Sequence, residues 1–242
     1  MLGFVVAVPE ARATANASLD PAPVLATHGL SRRFGRRWAV RSVDTAFHAG
    51  ELVVVLGHNG AGKSTFLNLI AGRMRPTEGH AVVLGETLVG FPSQAVRTQL
   101  GFLGHAPFVY PELTGLENMR FMARLAGMPV DQARLLDILE RVGLEASAKR
   151  PAGTYSRGMT QRLALGRLLL TQPPIWLLDE PTTGLDADGR RWFVAALAEA
   201  KDQGSCIIVV THAPDLLSGV LDRTLTLDNG RLRKPPQAEA SV

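Results

Sequence analysis

Hydrophobic and polar positions follow two rhythms along this chain. Continuous apolar runs of strand length alternate with stretches whose apolar residues recur at helical spacing. ELVVVLG (51–57) predicts a buried strand, and KSTFLNLIAG (63–72) predicts a helix ending at a glycine. Further strands are predicted at 80–85, 100–105, 175–178 and 206–210. Thr114 with Glu117 three residues on is a capping box, opening a helix through about Leu125. More helices are predicted over 131–142, from Ser156 as N-cap through Leu163, Leu168, Leu169 and Leu170, and near 188–201. Residues 223–233 predict a hairpin around Asn229-Gly230. Strands separated by helices imply an α/β fold with a mostly parallel central sheet. The helix-only stretch, about 115–150, reads as a lobe inserted between two sheet strands. There is no internal repeat.

Composition narrows this picture. A chain of 242 residues with 46% hydrophobic content can bury one substantial α/β core. Residues 1–23 and 235–242 are expected to be a mobile leader and a disordered tail, leaving 24–234 as the folded domain. The apolar run 2–8 lacks a basic flank and makes a poor signal peptide. No run approaches the roughly 20 apolar residues needed to span a bilayer. The lone cysteine, Cys206, sits inside CIIVV and is expected to be a small core residue. A composition with one cysteine suits a reducing compartment. The net charge of +4 draws on Arg32, Arg33, Arg36 and Arg37. This cluster suits nucleotide phosphates, anionic lipid or nucleic acid, and otherwise a solvated basic edge.

The candidate chemistry begins at GHNGAGKST (57–65), between a predicted strand and a predicted helix. This is G-x-x-x-x-G-K-[ST] in the context it requires. Gly57, Gly60 and Gly62 let the intervening backbone of His58, Asn59 and Ala61 turn its N–H groups toward phosphate oxygens, and the helix adds its positive end. Lys63 reaches the outer phosphates, Ser64 is placed to ligate Mg²⁺, and Thr65 caps beside it. IWLLDEP (175–181) supplies the second half. Asp179 emerges from a buried strand to hold the magnesium shell through water, and Glu180 can act as general base toward the water attacking a γ-phosphate. Together the two segments predict binding and hydrolysis of a nucleoside triphosphate.

Many unrelated machines do that, and the segment YSRGMTQR (155–162) chooses between them. In the order GHNGAGKST, YSRGMTQR, LLDEPTTGLD, the chain resembles the ATP-binding subunit of an ABC transporter over about residues 24–234. The resemblance implies a P-loop NTPase fold of ABC ATPase type. That fold has a mostly parallel central sheet, an antiparallel β subdomain and an inserted helical subdomain (about 106–158). In that family the serine-and-glycine turn closes over ATP held by the other subunit. Ser156 and Gly158 match it, while Tyr155 and Arg157 stand where the family most often has Leu and Gly. The resemblance places Asp186 at a dimer-contact loop, His212 on the γ-phosphate and Phe34 on adenine, with Trp38 as a rival for that stacking. His105 stands where the family usually has a magnesium-touching Gln, which puts that role in doubt.

The expected activity is ATP hydrolysis coupled to transport, with ATP and Mg²⁺ bound at two shared sites of a dimer, a homodimer by expectation. A separate integral membrane permease is implied, with the chain lying peripherally on the cytoplasmic face of the cell membrane. GFLGHAPFVYPELTGLEN (101–118) resembles the haem-export branch that serves cytochrome c maturation. Relatives exporting drugs, lipids or other solutes are the alternative. A soluble ABC ATPase acting on nucleic acid or ribosomes fits less well, because such chains fuse two ATPase domains or carry a long coiled coil, and no nucleic acid partner is expected. A P-loop kinase has no use for Ser156, Gly158 or His212.

Overall fold

The computed structural model describes residues 22–104 and 107–233. Two antiparallel strands, β1 (Leu25–Phe34) and β2 (Arg37–Phe47), precede the strand β3 (Leu52–Leu56) and the helix α1 (Lys63–Ile70). Then come β4 (Glu78–Val83), β5 (Glu86–Leu88), α2 (Gln94–Thr98) and β6 (Leu100–Leu103). The helices α3 (Gly115–Leu125), α4 (Gln132–Arg141) and α5 (Arg157–Thr171) follow, then β7 (Ile175–Asp179), α6 (Ala187–Asp202) and β8 (Cys206–Val210). The hairpin β9 (Arg223–Asp228) and β10 (Arg231–Leu232) ends the described chain.

These strands form two sheets. One is antiparallel, in the order β2-β1-β4-β5, and the other runs β10-β9-β3-β8-β7-β6. In the second sheet β9, β3, β8, β7 and β6 are parallel neighbours and only β10 runs against them. A parallel strand is covered on both faces, so its sequence is apolar throughout and its side chains alternate between two cores. Leu52, Val54, Trp176, Leu178, Ile207 and Val209 pack with residues of α3 to α6. Val53, Val55, Ile175, Leu177, Ile208 and Val210 pack with α1 and the antiparallel sheet. Cys206 is fully buried in the latter core, and burial pushes its thiol up to about 12.

Local chemistry fixes the ends of the elements. Thr114 and Glu117 form the predicted capping box at α3. Asp131 caps α4, and Asn229 and Gly230 both adopt positive φ, as a two-residue type I′ turn requires. The strand expected at 80–85 lies at Glu78–Val83, because Leu84 and Gly85 turn into the left-handed region. The strand expected at 100–105 is described as far as Leu103. The expected leader and tail fall outside the described residues apart from Ala22 and Pro23.

Candidate functional site

In parallel sheets, ligands bind beyond the carboxyl ends of the strands. Here β3, β8 and β7 are neighbours, so the segments leaving them converge although they are far apart in sequence. The loop after β3 carries residues 57–62, β7 ends at Asp179, and Thr211 and His212 follow β8. A cavity of about 570 Å³ opens there, bounded by Phe34, Asn59, Lys63, Asp179, Glu180 and His212 among others. Gly60, Gly62, Ser64 and Thr65 line it too.

The loop is held from outside. Gly62 has φ 105°, and a Cβ there would lie 2.0 Å from the carbonyl oxygen of Ala39 in β2, so no other residue fits. The Gly230 amide donates to the Ala61 carbonyl at 2.9 Å, which ties the loop to the terminal hairpin. Lys63 is only 7% exposed, and its Nζ donates to the Gly57 and His58 carbonyls at 2.7 and 3.2 Å. The ammonium is thus laid along the loop that surrounds the anion position. α1 begins at Gly62 without any side-chain cap, leaving its first amides open to a phosphate.

Asp179 is 6% exposed at the end of an entirely buried strand. Glu180 follows with φ 52°, in the left-handed region that a residue with a side chain rarely adopts. Its amide still donates to the Val210 carbonyl at 2.9 Å, so the distortion is carried by a backbone fixed to β8. Glu180 Oε1 is buried with no hydrogen-bond partner and lies 3.4 Å from His212 Nε2. An orphaned carboxylate oxygen beside a cavity, a histidine and a buried aspartate fits a site completed by water, a cation and phosphate oxygens. Among the described residues no cluster of three His, Cys, Asp or Glu side chains could hold a metal by itself. Ser64 and Asp179 both line the cavity and are the side chains that could share a magnesium ion with phosphate and water.

Phe34 stands at the rim, 48% exposed, with the Arg32 guanidinium 4.9 Å from its ring centre. Trp38 does not line the cavity and lies between Arg33 and Arg41, at 5.3 and 5.9 Å. Arg37 and Ala39 also line it and were not singled out from the sequence as site residues. Arg37 was visible only as one member of an arginine cluster.

Several expected residues lie elsewhere. Ala61 is buried in the core, and the His58 ring turns to Asp228, with 3.5 Å between Nε2 and Oδ1. His105 lies outside the described residues. Ser156, Gly158 and Asp186 do not line the cavity. Ser156 is exposed and its Oγ accepts from the Met159 amide at 3.3 Å, capping α5. Gly158 is a glycine for a reason internal to the chain as well, because a Cβ there would lie 2.6 Å from the Gly184 carbonyl oxygen. Asp186 caps α6 through the Gly189 amide and pairs with Arg162 of α5 at 2.6 Å. The Gly189 N–H first, and Arg162 next, hold its carboxyl below the usual range.

A family model described as ABC transporter matches residues 40–183. The chain is 41% identical over 207 residues to the cytochrome c biogenesis ATP-binding export protein CcmA of Cupriavidus necator, across 85% of this chain and 88% of that protein. It is 36% identical to the protein of the same name from Haemophilus influenzae, across 78% of this chain and 88% of that one. Its fold is similar to an ATP-binding cassette solved as a dimer in a post-hydrolysis state with ADP and phosphate. That match has a TM-score of 0.78 and 26% identity and covers 87% of this chain and 97% of the cassette.

Proposed function

From the premise that this chain belongs to the ABC transporter family, as one of its ATP-binding, ATP-hydrolysing subunits, we propose that it drives a haem exporter in cytochrome c biogenesis. It would act from the cytoplasmic face of the cell membrane. The observation that carries the mechanism is a separation. Lys63, Asp179, Glu180 and His212 surround one cavity, whereas the Ser156–Gly158 turn, whose chemistry also suits a phosphate, stands exposed outside it. Such a turn is useful to the nucleotide of a second copy. Two ATP molecules then lie between head-to-tail subunits, each gripped by one chain and covered by the other.

In this reading Phe34 stacks on the base and the amides of 57–65, with Lys63, bind the phosphates. Ser64 and Asp179 would hold magnesium, which would supply positive charge to the phosphate oxygens. Glu180 takes a proton from the attacking water, and His212, 3.4 Å from it, hydrogen-bonds the γ-phosphate. The partner's turn offers the Ser156 hydroxyl and the amides at the start of α5. Loss of the γ-phosphate removes what those groups hold, so ATP closes the dimer and hydrolysis opens it. A separate permease subunit carries the cargo. Among the described residues no helix is long and apolar enough to cross a membrane.

Similarity to proteins named for cytochrome c biogenesis export, together with Gly104-His105 in the segment 101–118, supports the choice of cargo. Deleting the gene tests it. Covalent-haem cytochromes should disappear while other membrane functions persist. Normal cytochromes c in the deletion strain would refute the haem assignment and leave the ATPase assignment standing.

A further inference from the structure

The mechanism above leaves Arg157 without a role, although it is one of the two positions where the turn departs from the family's commoner residues. Its surroundings are specific. A second cavity, of about 180 Å³, is lined by Arg157, Thr160 and Gln161 of α5, by Gly104 and Pro107, and by Glu180 and Thr183. Arg157 of the turn and Glu180 of one and the same chain therefore line a common space. Three contacts hold the two sides of that space together. The Arg157 stem lies where a Gly184 side chain would be, with its Cγ 3.2 Å from that Cβ position. The Gly158 backbone abuts the Gly184 carbonyl, and buried Gln161 donates Nε2 to the Pro181 carbonyl at 2.8 Å. Among the described residues Arg157 is in no ion pair, while Glu180 Oε1 is buried without a hydrogen-bond partner. A guanidinium in no ion pair and a carboxylate oxygen that has only the His212 ring, at 3.4 Å, beside it belong to residues lining one small cavity, and the two groups are chemical complements.

We infer that Arg157 is a positioning residue for Glu180 of its own chain, its guanidinium reaching the carboxylate across this cavity and fixing the rotamer that faces the attacking water. This rests on the reading of Glu180 as the base. Its consequence is communication between the two sites. The turn that covers the partner's nucleotide carries the group that orients the carboxylate serving the chain's own nucleotide. Engagement at one site then bears on the geometry of the other.

Full-length Arg157→Met keeps the stem against Gly184 and removes the charge, whereas Arg157→Lys keeps the charge. The inference expects Met to lower kcat for ATP about 10-fold, the scale of one charge-assisted hydrogen bond. KM should be unchanged, and Lys should restore most of the rate. A Met variant with wild-type kcat, or Met and Lys equally impaired, would overturn it. Dimers of two differently tagged copies separate action within a chain from action across the interface. Placing Arg157→Met and Glu180→Gln in one chain opposite a wild-type chain leaves a wild-type Glu180 with its own Arg157, so that dimer should keep one working site. Placing them in opposite chains should impair the remaining site. The reverse pattern would show that Arg157 acts on the partner's nucleotide instead. If Glu180→Gln alone hydrolysed ATP at the wild-type rate, the assignment of the base would fall, and this inference with it.

Discussion

Two helices in this chain begin beside glycine-containing turns, and they begin differently. α1 starts from Gly62 in the left-handed region, without a side-chain cap, and its first residue, Lys63, is nearly buried. α5 starts from Ser156, whose Oγ already accepts the Met159 amide, and Ser156 and Arg157 are exposed. An uncapped helix start enclosed by protein is a site waiting for an anion. A helix capped by its own serine is complete without one and needs a phosphate only to engage the remaining hydroxyl proton and exposed amides. In the mechanism proposed above, the first region grips a nucleotide and the second covers one. On that mechanism, a single chain holds all the parts of the site but cannot assemble them alone.

The largest effect should come from the gripping region. Glu180→Gln removes the proposed base while keeping shape, so hydrolysis should fall by about 10²–10⁴-fold. With ATP and magnesium present the dimer should persist, because the γ-phosphate that holds it is not lost. Light scattering that finds only monomer at saturating nucleotide would break the comparison at its root.

Next in size is a pair of substitutions, one in each region. Lys63→Ala should weaken ATP binding about 100-fold by calorimetry, the loss expected for a charge-assisted contact to phosphate. For the covering turn, Gly158→Asp is a poor probe, because any side chain there collides with Gly184 of the same chain. Ser156→Asp is cleaner. Aspartate caps a helix as well as serine does, and its charge repels the partner's phosphate. A dimer with Lys63→Ala on one copy and Ser156→Asp on the other should keep one intact site. With both on one copy, it should keep none. Equal activity of the two arrangements would mean that the turn does not act across an interface.

How much of this was legible beforehand differs between the same regions. β3, β7 and β8 could be read because strands covered on both faces are apolar without interruption. The hairpin could be read because Asn-Gly specifies its turn. β1 and β2, which place Phe34, Arg37 and Ala39 at the cavity, could not be read as strands. Their pairing carries register irregularities between Thr27 and Leu30 and again as far as Arg33. The buried positions Leu25, Thr27, Leu30 and Ser31 therefore break the two-residue period, and His28, Arg33 and Phe34 are the exposed ones. The choice between Phe34 and Trp38 needed those strands. Phe34→Ala should weaken ATP binding by roughly 1–3 kcal/mol, the value of stacking one base on an aromatic ring. Trp38→Ala should leave it within twofold. The opposite result in a nucleotide-binding titration would move the base to the other side of β2.

The link between α5 and α6 was invisible in the sequence, because Arg162 and Asp186 are separated by 24 residues. It fixes the covering turn to the loop after β7, and its charge can be tested apart from its shape. Asparagine caps a helix as aspartate does, so Asp186→Asn removes the ionic part and keeps the cap. Asp186 is held below the ordinary carboxylate range by Gly189 and Arg162 in the folded chain. A depressed folded value means that its stabilising contribution is complete above the unfolded value, about 3.9, and is lost as pH falls through the lower folded one. The melting-temperature difference between wild type and Asp186→Asn should thus be level from about pH 5 upward and should close below about pH 4. It should be small, and smaller still in high salt, because the carboxylate is well exposed. A difference that stayed constant down to the lowest pH at which the fold survives would assign Asp186 to cap geometry alone. The turn would then be held to the loop after β7 by Gln161 and the Gly158–Gly184 contact, without help from charge.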